Sequence, residues 1–491
     1  KLLVLIDGRA AYSPAIMGLY WHAQDALFED VERIEIVRGP GGTLWGSNAV
    51  TGIVNVISKS SRDSQGTFST AGVGSEQQAF AAVRHGGKLG NNGTYRAYAK
   101  FDAFDDSASS GLAPALAPRP APGAARDSWR RAMAGFRADW VLPSDNVTVH
   151  AAYFRANVTS QTFVPNLPTF SNAIENEDIR LDRINLVTKW THLLPNDTEW
   201  QLQAYYDYLQ RPSDLFNYRF HSVDVDFHHR LRLAERHEVT YGANYRFYDD
   251  LQKQNNPNLY FSEPALFMQM FSVFMQDDFT LVPDRLHVVI GSKAEHNYFS
   301  GWEIQPSARL ISTPSPRHTI WAALSRAART PSRTNRHVRI NTLTPQLGVF
   351  PRGFGNDDFD SEKVLAYEFG YRVKPLQRLT LDFTSYYFQY TDLYNPVAVP
   401  SRISFTFGPP APVVLPIDSL SDGKANAHGL EFAQELRATE WWRIRSGYTY
   451  FTVGEVERQD NRPNATPRHA FFLRSSMDLA RDIDLDLWGR W

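Results

Sequence analysis

Three features of the sequence bear on whether the chain could carry out a chemical reaction. The glycine block at 39–46 is rich in the residue that phosphate-binding loops use, but it lacks their Gly-Lys-Ser/Thr ending. His228 and His229 are adjacent, so on a strand they point to opposite faces and do not chelate one metal together. The chain has no cysteine and no Gly-x-Ser-x-Gly motif. The sequence therefore predicts no catalytic residue, no metal site and no cofactor.

A second group of side chains suits ligand binding. Aromatic faces interspersed with a few polar groups are typical of sites for bulky ligands such as metal chelates. The candidates are Arg9, Tyr12, Tyr20, Trp21 and His22 in one long connection, with Trp45 and Ser47 in a later turn. The alternative for each aromatic residue is ordinary packing.

A cationic run forms the clearest electrostatic feature. Its members, which precede the next acid at Asp357, are Arg329, Arg333, Arg336, His337, Arg339 and Arg352. If this segment faces the exterior, it produces a local positive field that favours an anionic ligand. The same charges could instead bind the phosphates of a membrane glycolipid.

Composition limits the elements that can position these residues. The 491 residues carry a net charge of −2, which does not indicate a nucleic-acid binder. Mean hydropathy is −0.39 and no run of about 18 apolar residues exists, which excludes transmembrane helices. A transmembrane barrel remains possible because its strands alternate lipid-facing and lumen-facing side chains. Aromatic residues make up 13% of the chain, as aromatic girdles require.

Strand-like alternation recurs from about Gly66 onward. In the segment from Glu199 to Tyr208, apolar and aromatic side chains occupy one face and mostly polar ones the other. Similar segments are 226–234, 286–294, 379–387 and 483–491. We count roughly 19 strands, which predicts a large antiparallel β-barrel.

The turns strengthen this interpretation. Short connections occur near 195–197, 235–236, 283–284, 314–316, 375–377 and 439–440, always at the same end of the predicted sheet. The intervening connections are often longer, notably 252–264, 330–360 and 393–424. The Ala/Pro-rich run at 113–125 predicts a flexible loop at that second end. Short turns at one end and long loops at the other are typical of outer-membrane barrels, whose long loops are extracellular.

The segment 31–60 precedes this barrel and resembles a separate small unit. Two predicted strands, 31–38 and 52–58, flank a glycine-rich turn. Here the chain resembles the TonB-dependent receptors, through Leu-Val-Leu-Ile-Asp-Gly-Arg at 3–9, Val-Glu-Arg-Ile-Glu-Ile-Val-Arg-Gly-Pro at 31–40, Leu-Trp-Gly-Ser-Asn-Ala at 44–49 and Gly-Ile-Val-Asn-Val-Ile-Ser-Lys at 52–59. Gly42, Trp45 and Thr51 depart from the usual Ser, Tyr and Gly, which suggests a subgroup. Weaker family-like signatures follow at 276–281, 304–309, 329–332 and 362–370.

The resemblance implies an all-β fold, a transmembrane antiparallel β-barrel of the 22-strand type with an N-terminal α/β plug inside the lumen. We expect residues 1–65 to form the C-terminal part of the plug and residues 66–491 a barrel that stops before its last strands. The implied function is TonB-dependent import of a metal chelate, foremost a ferric siderophore, across the bacterial outer membrane. The absent Asn-Pro-Asn-Leu motif disfavours haem. A cobalamin or other nutrient receptor, a passive porin-like channel and a barrel-borne enzyme are the alternatives.

The resemblance also implies partners and two further residues. The partners are the TonB-ExbB-ExbD complex, acting through a segment missing here, the chelate, and outer-membrane lipid with lipopolysaccharide; we expect a monomer. Arg38, and with it Glu35, is implied to lock the plug to barrel carboxylates, since Arg forms bidentate pairs. The alternative is that both are solvated strand charges.

Overall fold

The computed structural model describes most of the chain. The described residues are 2–16, 18–24, 26–107, 126–166, 171–214, 216–255, 258–341, 349–405, 413–457 and 467–491.

The N-terminal unit, here called the plug, is built on a four-stranded sheet. Its strands are β1 (Leu2–Ile6), β2 (Arg9–Ala10), β3 (Val31–Arg38) and β4 (Gly52–Ser58), in the order β2-β1-β4-β3. The pair β1 and β4 is parallel, whereas β3 and β4 are antiparallel. Both predicted strands of this unit are confirmed with the predicted bounds.

Short helices connect the plug strands. The helix α1 (Gly42–Trp45) lies within the glycine-rich segment where the sequence predicted only a turn. Three 3₁₀ helices follow other connections: Trp21–Ala23, Phe28–Asp30 and Ser61–Ser64. None of the helices in the described part of the chain is long and apolar enough to cross a membrane.

The rest of the chain is dominated by strands β5 to β27. They are β5 (Gly66–Gly72), β6 (Ala79–Leu89), β7 (Gly93–Phe104), β8 (Trp129–Val141), β9 (Asp145–Asn166), β10 (Ser171–Leu194), β11 (Thr198–Arg211), β12 (Phe216–Leu233), β13 (His237–Gln254), β14 (Leu259–Phe261), β15 (Ala265–Val282), β16 (Leu286–Asn297), β17 (Gly301–Ser315), β18 (His318–Arg329), β19 (Val338–Asn341), β20 (Val349–Phe354), β21 (Glu362–Leu376), β22 (Leu379–Ala398), β23 (Ser404–Phe405), β24 (Val413–Arg437), β25 (Trp442–Glu457), β26 (His469–Ala480) and β27 (Ile483–Arg490).

Nineteen of these strands in the described part of the chain form the wall of a closed barrel, namely all except β14, β19, β20 and β23. Antiparallel registers join each wall strand to the next from β5 to β27. The strand number agrees with the sequence estimate. The predicted all-β barrel with an internal plug is confirmed.

The connections at the two ends of the barrel differ as predicted. Turns of two to four residues follow β10, β12, β15, β17, β21 and β24 at one end, here called the turn end. The opposite end, here called the loop end, carries the long segment 330–361 with α2 (Arg333–His337), β19 and β20, and a 3₁₀ helix Pro400–Arg402 beside β23. The short strands β14, β19 and β20 pair in sequence and connect to β24.

One predicted loop is shorter in the structure than the sequence indicated. Much of the predicted loop at 393–424 is strand, because β22 continues to Ala398 and β24 begins at Val413, so the wall hairpin extends beyond the expected turn. The predicted loop at 113–125 lies outside the described residues.

Alternation along the wall strands sets what faces the plug. On β11, Gln203, Tyr205 and Asp207 are buried in the lumen, as the sequence pattern predicted. On β12, His228 lines a cavity beside the plug, whereas Nδ1 of His229 lies 2.8 Å from the Tyr241 hydroxyl. The two histidines therefore do face opposite sides of the wall.

Candidate functional site

A cavity of about 700 Å³ lies at the loop end above the plug, and we call it the outer cavity. Its described lining is mainly apolar and comes from the plug, from the short loop strands and from the wall. Representative residues are Ile16 of the plug, Leu259, Phe261, Val338 and Ile340 of the loop strands, and Leu393 of β22. Leu259, Phe261 and Val338 pack together as a buried cluster, which fixes this surface.

One ion pair borders the outer cavity. Nη1 of Arg329 lies 3.2 Å from Oε2 of Glu362, and both side chains are largely buried. The other carboxylate oxygen, Oε1, accepts a hydrogen bond of 2.9 Å from the backbone N–H of Tyr394. Arg329 therefore meets the cavity as part of a compensated pair.

The helix α2 connects the loop to the plug. Ser332 caps it by accepting a hydrogen bond from the Asn335 backbone N–H at 3.2 Å, which explains why a helix begins here. The backbone N–H and the hydroxyl of Thr334 both donate to the carbonyl of Ala15 in the plug, at 2.9 and 2.7 Å. Two hydrogen bonds thus connect α2 directly to the plug backbone.

The remaining residues of the cationic run are also engaged. Arg333 is fully buried and pairs with Asp250 of β13. Arg336 donates to the carbonyl of Phe359 at 2.7 and 3.0 Å, and Arg339 to that of Gly355 at 3.2 Å.

His337 and Arg352 complete the run. Burial, together with the charge of Arg333, lowers the pKa of His337, so the ring is mainly neutral at pH 7. Arg352 donates to Asn341 at 2.6 Å. Arg329 and Arg333 therefore pair with carboxylates, whereas the other arginines of the run bond to neutral oxygens, so the expected outward positive field is only partly compensated.

The predicted aromatic residues of the plug are not all in one place. Tyr12 is buried, its hydroxyl donates to the Leu2 carbonyl at 2.5 Å, and burial raises its pKa to about 12. Burial also raises the pKa of Tyr20 to about 12, and its ring centroid lies 6.0 Å from that of Tyr218. Trp21 is 65% exposed. The side chain of His22 lies outside what the structure describes.

A second cavity, here called the inner cavity, lies between the plug and β8 to β16, with a volume of about 650 Å³. Tyr12, Trp45 and Ser47 line it from the plug side, so the structure brings together three predicted ligand residues. Its wall side is polar and includes Asp224, Arg246, Lys293 and Glu295. Thr330, which follows the last residue of β18, also lines it, so the inner cavity approaches the loop end.

Arg9 binds the wall instead of facing the outer cavity. Its Nη1 donates to Oδ2 of Asp207 at 3.0 Å, and Nε of Arg183 donates to Oδ1 of the same carboxylate at 2.9 Å. All three side chains are at most 5% exposed. Arg9 was predicted to contact a ligand, whereas the structure places it in a contact between plug and wall.

Two plug aspartates make further contacts of this kind. Asp7 accepts hydrogen bonds of 2.8 Å from the backbone and hydroxyl of Ser58 and lies 3.3 Å from Nδ1 of His150 on β9. Burial acts to raise its pKa, but His150 and Ser58 outweigh that effect, so the pKa of Asp7 lies below its ordinary value. Asp30 pairs with Arg84 of β6 and, at 3.3 Å, with Arg96 of β7. We call these pairs of Asp7, Arg9 and Asp30 the ionic contacts.

The opposite side of the plug is held by close backbone approach. Gly39 and Gly46 have φ of +78°, and a Cβ there would lie 2.7 Å from Oε1 of Glu368 and 2.8 Å from Oε2 of Glu295. Between them, the Thr43 hydroxyl donates to the Gln305 carbonyl at 2.9 Å. We call the contact of 39–46 with β16, β17 and β21 the glycine seat.

Arg38 and Glu35, the two residues implied to lock the plug to the wall, have different partners. Arg38 does pair with a wall carboxylate, Glu431 of β24, but its side chain is 79% exposed. Glu35 bonds within the plug, to Arg33 at 2.8 Å and to Asn55 at 3.1 Å, because Arg33 lies two residues away on β3 and Asn55 directly opposite on β4. The wall attachment expected of Glu35 is therefore not what the structure shows.

Sequence reasoning missed Asp7, Asp30 and Asp207 as contacts. The available signal was an ionisable residue on the inward face of a wall strand, since such a side chain requires a partner when buried. Asp207 follows Gln201 and Gln203 on the inward face of β11, so this signal was visible there. No comparable signal marked Asp30.

Comparison with known proteins adds a family. The family model described as "TonB dependent receptor-like, beta-barrel" matches residues 85–491, and that of the "TonB-dependent Receptor Plug Domain" matches residues 1–53. An iron-regulated outer membrane virulence protein of Vibrio cholerae is 22% identical over 435 residues, 86% of this chain and 62% of that protein. The vitamin B12 transporter BtuB of Vibrio vulnificus is 35% identical over 111 residues, 21% of this chain and 18% of that protein. The chain thus spans less than two thirds of the length of these relatives.

Solved structures share the fold. The siderophore receptor PirA of Acinetobacter baumannii has a TM-score of 0.78 at 15% identity, over 100% of this chain and 78% of that one. A ferric enterobactin receptor mutant, PfeA of Pseudomonas aeruginosa in complex with enterobactin, has a TM-score of 0.76 at 16% identity, again over 100% and 78%. The barrel match alone extends over more than half of the chain, and this protein therefore belongs to the TonB-dependent receptor family of outer-membrane β-barrels.

Proposed function

We propose that this protein imports a ferric siderophore across the outer membrane, driven by the TonB-ExbB-ExbD complex. The observation that carries the proposal is the outer cavity, which is bounded below by the plug and laterally by loop strands. A ligand held there contacts plug and loop residues together, so its binding can alter how they are arranged.

The relatives support iron over other cargo. The iron-regulated Vibrio cholerae protein matches most of this chain, and several structural neighbours are siderophore receptors. Both family models describe TonB-dependent receptors, which is why we propose energy-coupled import in preference to a passive channel or an enzyme.

The lining of the outer cavity narrows the chemistry of the chelate. Its faces are mainly apolar, and Arg329 is compensated by Glu362. Such a surface favours a chelate with apolar or aromatic groups and modest charge, because a strongly anionic chelate would leave its desolvated charge without a free cation.

The proposed path continues beside the plug. The inner cavity already separates the plug from one side of the wall, and it reaches Thr330 near the loop end. We propose that the chelate enters this space once the plug rearranges, passing Tyr12 and Trp45 on the plug side.

Growth of an iron-starved host that relies on this receptor tests the proposal. We expect rescue by one or more ferric siderophores, and not by haem or cobalamin. Ile340→Gln, which places a polar group in the outer cavity, should weaken rescue, whereas Ile403→Gln, at an exposed position that does not line the cavity, should leave it unchanged. Equal rescue by both variants would contradict the assigned cavity.

Cobalamin is the second candidate. The vitamin B12 transporter BtuB is 35% identical to this chain over 111 residues, whereas the iron-regulated Vibrio cholerae protein is 22% identical over 435 residues. Uptake of cobalamin alone in the same growth assay would establish this candidate and show that the siderophore proposal is wrong.

A further inference from the structure

The outward surface of the wall carries a group of arginines on one side of the barrel. This arginine patch comprises Arg130 on β8, Arg155 on β9, Arg180 on β10 and Arg219 on β12. In register, Arg130 lies opposite Asn157, which in turn lies opposite Arg180. With neighbouring strands about 4.8 Å apart, the patch spans roughly 19 Å.

Strand alternation directs these side chains toward the lipid. Arg155 lies between Phe154 and Ala156, which are at most 3% exposed and face the lumen. Arg180 likewise lies between the buried residues Ile179 and Leu181, and Arg219 between the buried residues Tyr218 and Phe220. Because neighbours on a strand point to opposite faces, the arginines point outward.

The height of the patch matches the boundary of the hydrocarbon layer. On the turn-end side of each arginine, outward positions are mainly apolar, from Ala132 to Trp140 on β8 and from Val223 to Leu233 on β12. These stretches of about nine to eleven residues have the length that carries a tilted strand across the hydrocarbon core. The patch therefore lies at the level of the lipid head groups on the loop side.

Among the side chains that the structure describes, one carboxylate, that of Asp182, lies inside the patch. Oδ1 of Asp182 accepts from Nε of Arg155 at 2.7 Å and from the Tyr153 hydroxyl at 2.6 Å, and Oδ2 accepts from Nε of Arg180 at 3.1 Å. Both arginine bonds use Nε, and the two side chains are 40% and 55% exposed. Their terminal amino groups remain available to a further ligand.

The other two arginines add uncompensated charge. Neither Arg130 nor Arg219 has a carboxylate partner among the residues that the structure describes. The outward acids that border the patch are Asp178 on β10 and Asp249 on β13. Four guanidinium groups thus surround a single internal acid, which leaves the patch cationic.

Another part of the wall, from β15 to β17, carries aromatic residues near the loop end instead of arginines. On β15, β16 and β17 the outward residues near the loop end are Phe271, His296 and Trp302, which lie opposite one another in register. An aromatic row is what a lipid boundary ordinarily shows. The arginines therefore distinguish β8 to β12 from this part of the wall.

We propose that the arginine patch binds the phosphate groups of lipopolysaccharide in the outer leaflet. Guanidinium groups bind phosphate through paired charge-assisted hydrogen bonds, and the patch presents them at head-group level, facing the lipid. The cationic run at 329–352 was the alternative position for such a contact, but its arginines already bond to groups of the loop and of the wall strands.

Lipopolysaccharide binding to the purified receptor tests this proposal. A variant with Arg130, Arg155, Arg180 and Arg219 all changed to Gln is compared with one in which four exposed turn-end arginines, Arg236, Arg285, Arg317 and Arg378, are changed to Gln. The two variants lose equal charge at opposite ends of the barrel. We expect the patch variant to bind lipopolysaccharide about tenfold more weakly, a loss typical of one or two charge-assisted bonds. The turn-end variant should bind like the unmodified receptor.

Further arms distinguish the source of the phosphate. Dephosphorylated lipopolysaccharide should bind the unmodified receptor as weakly as intact lipopolysaccharide binds the patch variant. Changing the four patch arginines to Lys should give intermediate binding, which also shows that the barrel tolerates substitution there. Equal weakening in the turn-end variant, or full binding of the dephosphorylated lipid, would each overturn the proposal.

Discussion

The two sides of the plug are held to the wall by different physical means. Toward β6 to β11 the ionic contacts predominate, such as Arg9 with Asp207, both at most 5% exposed. Toward β16 to β21 the glycine seat predominates, where Gly46 approaches Glu295 so closely that no side chain fits. Buried ion pairs are costly to disturb by removing one partner, whereas a tight backbone approach depends on shape. Plug rearrangement thus has to overcome two distinct barriers.

Asp207→Asn is expected to give the largest effect on the ionic side. It leaves the guanidinium groups of Arg9 and Arg183 buried without their shared carboxylate, which costs about 3–5 kcal/mol in comparable pairs. Hydrogen exchange of residues 2–10 in the purified receptor measures the loss, as faster exchange in β1 and β2. A matched control is Asp382→Asn, which breaks an exposed pair with Arg372 and should cost less than about 1 kcal/mol. Equal effects would remove the distinction between buried and exposed pairs.

Gly46→Ala tests the glycine seat. The added methyl group would lie 2.8 Å from the Glu295 carboxylate and would adopt a φ of +78°, so we expect a loss of about 1–3 kcal/mol. Gly301→Ala is the control, since Gly301 has a φ of +69° but no atom within 4 Å. Urea unfolding of the whole receptor, followed by its intrinsic tryptophan fluorescence, compares the two variants. If both lose the same stability, the close approach contributes nothing and only backbone strain remains.

The sequence could predict the strands of the plug but not the residues that pair the plug with the wall. The strands 31–38 and 52–58 were predictable because alternation and glycine turns are local, and so was the side of the wall that faces the plug. The pairing of Arg9 with Asp207 was not, because the partners lie 198 positions apart and alternation gives only the facing direction. The cationic run shows the same limit, since its acid Asp250 lies 83 positions from Arg333.

Acid pH should weaken the ionic side selectively. The pKa of Asp7 is lowered in the folded protein, so its stabilising effect is complete above its unfolded pKa of about 3.9 and is lost as the pH falls toward the lower folded pKa. We expect the free energy of unfolding of the plug, measured with urea, to be larger for the unmodified protein than for Asp7→Asn by an amount on the order of 1–2 kcal/mol that is constant above about pH 5 and shrinks below pH 4. A constant difference down to pH 3 would show that the Asp7 carboxylate does not contribute as an ion.

Arg38→Gln should have the smallest effect, although the resemblance singled out this residue as the lock. Arg38 pairs with Glu431, but its side chain is 79% exposed, so water and salt screen the pair. We expect the free energy of unfolding of the plug, measured with urea, to fall by less than about 1 kcal/mol, and by less still at high salt. Glu431→Gln should give a similar loss. A double variant should then add nothing to either single change, because both remove the same pair. If Arg38→Gln instead matches Asp207→Asn, the exposed pair holds the plug as firmly as the buried one, and the attachment cannot be assigned mainly to β6 to β11.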